Sequence, residues 1–130
     1  MTAPRGRRVL IVDDEESMRL LLGHYVASIP GTEITLAGGC EEALRLTRDH
    51  GYDLILLDLM MPGVGGIEVL NRVRAGSRNV QTPVIVVSVL ADPDTKIVCQ
   101  SLAISDYIVK PVVREDLVAA VKARITAMAN

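Results

Sequence analysis

The chain contains no tryptophan and no phenylalanine, and three tyrosines are its only large rings. A protein that binds nucleic acid needs a basic surface and usually rings on which bases stack. An aromatic content of 2% with a net charge of −2 therefore argues against direct nucleic-acid contact. Long apolar runs are missing too: none approaches the roughly 20 residues that cross a bilayer. The opening "MTAPRGRR" is not followed by the apolar segment and cleavage site of a secretory signal, so a cytoplasmic protein without a membrane partner is expected. Cysteine is scarce. Cys40 and Cys99 lie far apart with no redox or metal-ligand spacing and read as small buried hydrophobes. His24 and His50 stand alone, with no second ligand at a metal-binding offset. Arg5, Arg7 and Arg8 form the one basic cluster, in a Pro- and Gly-containing terminus that reads as a solvated tail over residues 1–7.

What is present suffices for one domain: 130 residues with 49% hydrophobic content. Five aliphatic runs stand out at Val9–Val12, Ile34–Ala37, Leu54–Leu57, Val84–Val87 and Tyr107–Val109. They are apolar at consecutive rather than alternate positions, the signature of strands covered on both faces, as in parallel sheets. Between them the period changes. Met18, Leu21, Leu22, Tyr25, Val26 and Ile29 fall on one face of a helix. Ala43, Leu44 and Thr47 suggest a second helix, and Ile67, Leu70, Val73 and Arg74 a third. A fourth has Asp92 as its cap and Pro93 in its first turn. The fifth runs from about Arg114 with Leu117, Val118, Val121 and Ile125 inward; Val113 stands where a capping side chain is expected, so Glu115 and Asp116 complement the dipole instead. Five βα units imply a doubly wound α/β fold with a five-stranded parallel sheet and right-handed crossovers.

In such sheets ligands bind beyond the carboxyl ends of the strands, where the chain changes its direction of winding. The residues leaving the strands are Asp13 and Asp14 after the first, Asp58 after the third, Ser88 after the fourth and Lys110 after the fifth. Each alone has an ordinary explanation. Asp13 through Glu16 suit a helix start, Ser88 a turn, and Lys110 a snorkelling surface position. Together, in a sheet ordered 2-1-3-4-5, they place three carboxylates side by side with a hydroxyl and an ammonium flanking them. Clustered carboxylates resist ionising together, and a hard divalent cation such as Mg²⁺ makes the cluster tolerable. Asp58 then becomes a nucleophile for phosphorus, with Lys110 and Ser88 contacting phosphoryl oxygens.

At this point the segments "VLIVDDEES", "YDLILLDLMMPGVGGIEVL", "PVIVVS" and "DYIVKP", in this order, resemble the receiver domain of two-component response regulators from about Arg8 to Met128. The resemblance implies the flavodoxin-like, three-layer receiver fold with order 2-1-3-4-5, Asp58 as phosphoacceptor, and a Mg²⁺ site, with Mn²⁺ as a substitute. That site would use Asp13, Asp14, Asp58 and the backbone carbonyl of Met60, Asp13 acting partly through water. Ser88 takes the hydroxyl switch position, Tyr107 the rotating aromatic position and Lys110 the phosphate-pairing position, with a cis Lys110–Pro111 bond. The implied partners are a sensor histidine kinase or phosphotransfer protein upstream and an effector protein or fused output domain downstream. The switched surface is formed by the fourth helix, fifth strand and fifth helix, which also serves homodimers in many receivers. Such a domain catalyses only its own phosphorylation and dephosphorylation.

Several positions depart from the family pattern. Val89 stands where a small residue is usual and is expected to restrict access to the phosphate; Ala103 and Ile104 replace the usual Gly and Ala before the fifth strand; and Gly65 replaces a frequent Asp in "GVGG", which suggests looseness there. Three other readings compete. A flavodoxin-like electron carrier shares the topology but not this acidic first loop. A haloacid-dehalogenase-type phosphatase needs an acid two residues after Asp58, where Met60 stands. An unphosphorylated receiver-like binding module is the third.

Overall fold

A computed structural model describes residues 6–127. The elements follow one another as β1 (Arg7–Val12), α1 (Glu16–Ala27), β2 (Thr32–Ala37), α2 (Cys40–Asp49), β3 (Leu54–Leu57), α3 (Gly65–Gly76), β4 (Val84–Ser88), α4 (Pro93–Ser101), β5 (Asp106–Val109) and α5 (Arg114–Ala127). All strand pairs are parallel, in the order β2-β1-β3-β4-β5. The expected flavodoxin-like sheet is therefore the observed one. β1 already includes Arg7, a residue the sequence assigns to the tail; Arg5 and Met128 lie outside the described residues. No helix among the described residues is long and apolar enough to cross a membrane.

The consecutive apolar runs are explained by two cores divided by the sheet. Leu10, Val12, Ile55, Leu57, Val84 and Val86 point to the side of α2, α3 and α4, while Val9, Ile11, Leu54, Leu56, Ile85 and Val87 point to the side of α1 and α5. Alternate residues of each strand feed opposite layers, each lined by buried apolar side chains. The α1 stripe is narrower than its periodicity suggests: Leu22 and Val26 are buried but Leu21 is 38% exposed.

α4 starts as expected, with the Asp92 carboxylate accepting the Thr95 N–H at 3.0 Å and Pro93 in the first turn. Of its residues only Cys99 is buried. Its C-terminal end is tied down from outside by Arg74 of α3. That guanidinium donates to five main-chain carbonyls: Leu102 at 2.9 Å and Ala103 at 3.3 Å in the turn after α4, and Asn79, Val80 and Thr82 at 3.2, 3.0 and 2.7 Å in the loop before β4. Burial pushes the Arg74 pKa down from its usual value, yet the cation suits the negative end of the α4 dipole. Ala103, at the position the sequence marks as unusual, is the only described non-glycine residue with positive φ, at 59°.

Candidate functional site

The parallel sheet brings the carboxyl ends of β1, β3, β4 and β5 to one edge, and the polar residues leaving them converge there. Asp13 ends fully buried, Asp58 is 5% exposed, and Asp14 lies in the open. One carboxylate oxygen from each of Asp13, Asp14 and Asp58 lies within 4.8 Å of the others. Lys110 balances part of this charge, its ammonium standing 2.9 Å from Asp13 Oδ2 and 3.2 Å from Asp58 Oδ2. Burial acts to lower the Lys110 pKa, but the hydrogen bond it donates to Asp13 and the charges of Asp58 and Asp13 outweigh it and hold the pKa above its usual value.

Glu16 lies in the first turn of α1, but no acid caps that helix. The residue preceding α1 is Glu15, and it makes no side-chain capping bond. Asp13 is instead committed at every polar atom: its N–H donates to the Ala37 carbonyl at 3.1 Å, its Oδ1 accepts the Glu15 N–H at 2.9 Å, its Oδ2 accepts Lys110, and its carbonyl accepts Arg19 Nη1 at 2.8 Å. Asp58 Oδ1 accepts the Met60 N–H at 3.1 Å, while the Met60 side chain is exposed. Asp14 has no hydrogen-bond or ion-pair partner among the described residues. A set of hard carboxylate oxygens, one of them uncommitted and solvent-facing, fits Mg²⁺, which binds oxygen and keeps part of its water.

Ser88 and Tyr107 make no hydrogen bond to the acids. They meet at Leu90, whose N–H donates to Ser88 Oγ at 3.3 Å and whose carbonyl accepts the Tyr107 hydroxyl at 2.6 Å. Lys96 of α4 lies over the Tyr107 ring, 5.4 Å from its centre. Burial first, then the nearby Cys99, Asp92 and Asp58, raises the Tyr107 pKa, so the hydroxyl keeps the proton it donates. Val89 is 57% exposed beside Ser88, and the Lys110–Pro111 bond is cis.

Three contributors have little sequence signal. Leu90 acts through its peptide groups. Gly66 carries no side chain, yet a Cβ there would lie 2.3 Å from the Asp58 carbonyl oxygen and 2.5 Å from Leu59 Cα; only glycine lets α3 approach the acceptor strand this closely. Of the other "GVGG" glycines, Gly63 and Gly65 adopt φ of 88° and 81°, a backbone region that favours glycine. Arg19 is one more cation on a charged helix until the fold sets it against Asp13.

A family model described as the response regulator receiver domain matches residues 9–122. The chain belongs to this family. Among curated relatives, the receiver is 36% identical over 118 residues to the phosphate regulon transcriptional regulatory protein PhoB of Pseudomonas aeruginosa, covering 91% of this chain and 51% of that protein. It is 37% identical over 116 residues to the transcriptional regulatory protein ResD of Bacillus subtilis, covering 89% of this chain and 47% of ResD. The chain thus spans about half the length of the curated relatives it matches. Among solved structures, the receiver domain of the Francisella response regulator 1452 is 30% identical with a TM-score of 0.83, covering 94% and 98% of the two chains. The receiver domain of sensor histidine kinase PA1611 from Pseudomonas aeruginosa, 25% identical with a TM-score of 0.82 over 93% and 98%, has a magnesium ion coordinated in its active site cleft. The receiver described here carries the family's phosphoacceptor type of site: clustered aspartates, a magnesium-compatible oxygen set and a paired lysine. Chemistry at such a site modifies the protein itself and is not substrate turnover.

Proposed function

We propose that Asp58 is the phosphoacceptor, taking a phosphoryl group from the phosphohistidine of a sensor histidine kinase or phosphotransfer protein. An Asp58 carboxylate oxygen bonds to phosphorus as the bond from phosphorus to the donor imidazole nitrogen breaks, and that bond's electron pair stays with the imidazole. The observation that carries this reading is the buried Asp58 carboxylate held between Lys110 and the other two acids. Mg²⁺, or Mn²⁺ in its place, offsets negative charge on the carboxylates and on the incoming group when bound. Asp14 and Asp58 would hold it directly, with the Met60 carbonyl, and Asp13 partly through water. Lys110 pairs with one phosphoryl oxygen and Ser88 donates its hydroxyl to another.

The signal then leaves through Leu90. Any movement of the Ser88 hydroxyl toward the phosphoryl group gives up the Leu90 N–H, and the same residue's carbonyl holds Tyr107. This supports Ser88 and Tyr107 as the switch pair and α4, β5 and α5 as the surface read by an effector protein or fused output domain. Exposed Ile97, Val98, Val109 and Val113 along the β5 edge of the sheet are consistent with a protein partner, a second receiver included. We place the protein in the cytoplasm, without direct nucleic-acid contact by this domain. The test is intact mass after incubation with acetyl phosphate and Mg²⁺. A single phosphoryl adduct that needs the metal and is absent from Asp58→Asn is expected; an adduct that persists in the variant, or none on the wild type, overturns the assignment.

A further inference from the structure

We propose that Arg19 is a positioning residue for the metal site, fixing the turn that carries Asp13 and Asp14; this rests on the phosphoacceptor reading above. Arg19 Nη1 donates to the Asp13 carbonyl at 2.8 Å. That carbonyl belongs to the peptide joining Asp13 to Asp14, so the contact sets the plane from which the Asp14 backbone departs. Asp14 has no partner of its own among the described residues, and the placement of its carboxylate is therefore inherited from its backbone. The Arg19 backbone is tied to the same turn, its N–H donating to the Glu15 carbonyl at 2.9 Å. The guanidinium lies close to Gly38, just after β2, where an added Cβ would come within 3.1 Å of Nη1 and 3.5 Å of Cζ.

Charge and geometry predict opposite outcomes for Arg19, which makes its role decidable. A cation held against the acid turn opposes a divalent ion there, so as a mere counter-charge its removal tightens metal binding. As the brace of the acid turn its removal weakens binding, by about 10–100-fold if it acts as other groups that orient metal ligands do. The proposal predicts the weakening.

The experiment is calorimetric titration of Mg²⁺ alone into chelator-treated wild type, Arg19→Met, Arg19→Lys and Gly38→Val. Arg19→Met is expected to bind at least about tenfold more weakly and Arg19→Lys to recover part of the loss. Gly38→Val, which keeps the charge but displaces the guanidinium, is expected to weaken binding alone and to cost nothing further in the Arg19→Met background. Without metal, exchange of the Glu15 amide is expected to quicken in Arg19→Met, because the turn that includes its bond to Asp13 Oδ1 loosens. Equal or tighter Mg²⁺ binding by Arg19→Met, or unchanged Glu15 exchange, overturns the role of Arg19 alone. A wild type that binds no Mg²⁺ overturns the metal site on which it rests.

Discussion

Lys110 shows how one side chain sets the charge balance of the site. Its ammonium serves two carboxylates that are nearly inaccessible to water, so its pKa is raised and the neutral amine is disfavoured in the folded protein. A group whose folded pKa exceeds its unfolded value contributes stability in full below the unfolded value, here 10.5, and loses it as pH rises through the folded one. The difference in unfolding free energy between wild type and Lys110→Met is therefore expected to stay flat from neutral to about pH 10 and to close only above it. Urea titrations across that range check this, and a gap that closes nearer neutrality contradicts the pairing. Ala103 provides a second test. Its left-handed backbone costs an alanine about 1–2 kcal/mol, which glycine avoids, while the greater freedom of glycine in the unfolded chain offsets about 0.4–1 kcal/mol of that gain. Ala103→Gly is expected to stabilise by about 0.5–1 kcal/mol in the same assay. The departure from the family pattern at Ala103 is thus expected to carry a cost that this assay reads out.

Among the elements, α4 is the least embedded of the five helices, and Arg74 is what secures its far end. Removing a charged donor from several partly buried carbonyls leaves them unsatisfied, so Arg74→Met is expected to lower stability by about 2–3 kcal/mol. Arg74→Lys should restore less than half of that in urea unfolding, since one ammonium cannot reproduce a planar fork. The sequence placed Arg74 on the inner side of α3 but gave no hint of this role, because every acceptor is main chain. Strand positions were legible for the opposite reason: burial on both faces forces aliphatic side chains at successive positions, as in Leu54–Leu57, all buried. Legibility failed at strand beginnings. Arg7, Thr32, Glu33 and Asp106 extend β1, β2 and β5 with polar residues that carry no apolar signal. In the site, Asp13, Asp14, Asp58, Ser88 and Lys110 could be read because each leaves a recognisable strand. Leu90, Gly66 and Arg19 could not, since a peptide group, a missing side chain and a distant helix surface leave no such mark.

For the molecule as a whole, three clustered acids make folding and metal binding one linked equilibrium. A cation bound only by the assembled site stabilises the fold by RT ln(1 + [L]/Kd), about 1.4 kcal/mol at ten times Kd, or roughly 3–5 °C in Tm for a chain of this size. Differential scanning calorimetry with and without Mg²⁺ is expected to show that rise in the wild type and much less of it in Asp14→Asn at the same concentration. The two cores meet this edge from opposite sides. The Arg74 tether has a bearing on how such a protein diversifies. Because it grips backbone atoms alone, the outward side chains of α4 can be exchanged by selection or by an engineer without loosening their support. Under the proposed function, the side chains that a partner would read and the contacts that support α4 are thereby separable, and one can be altered while the other is kept.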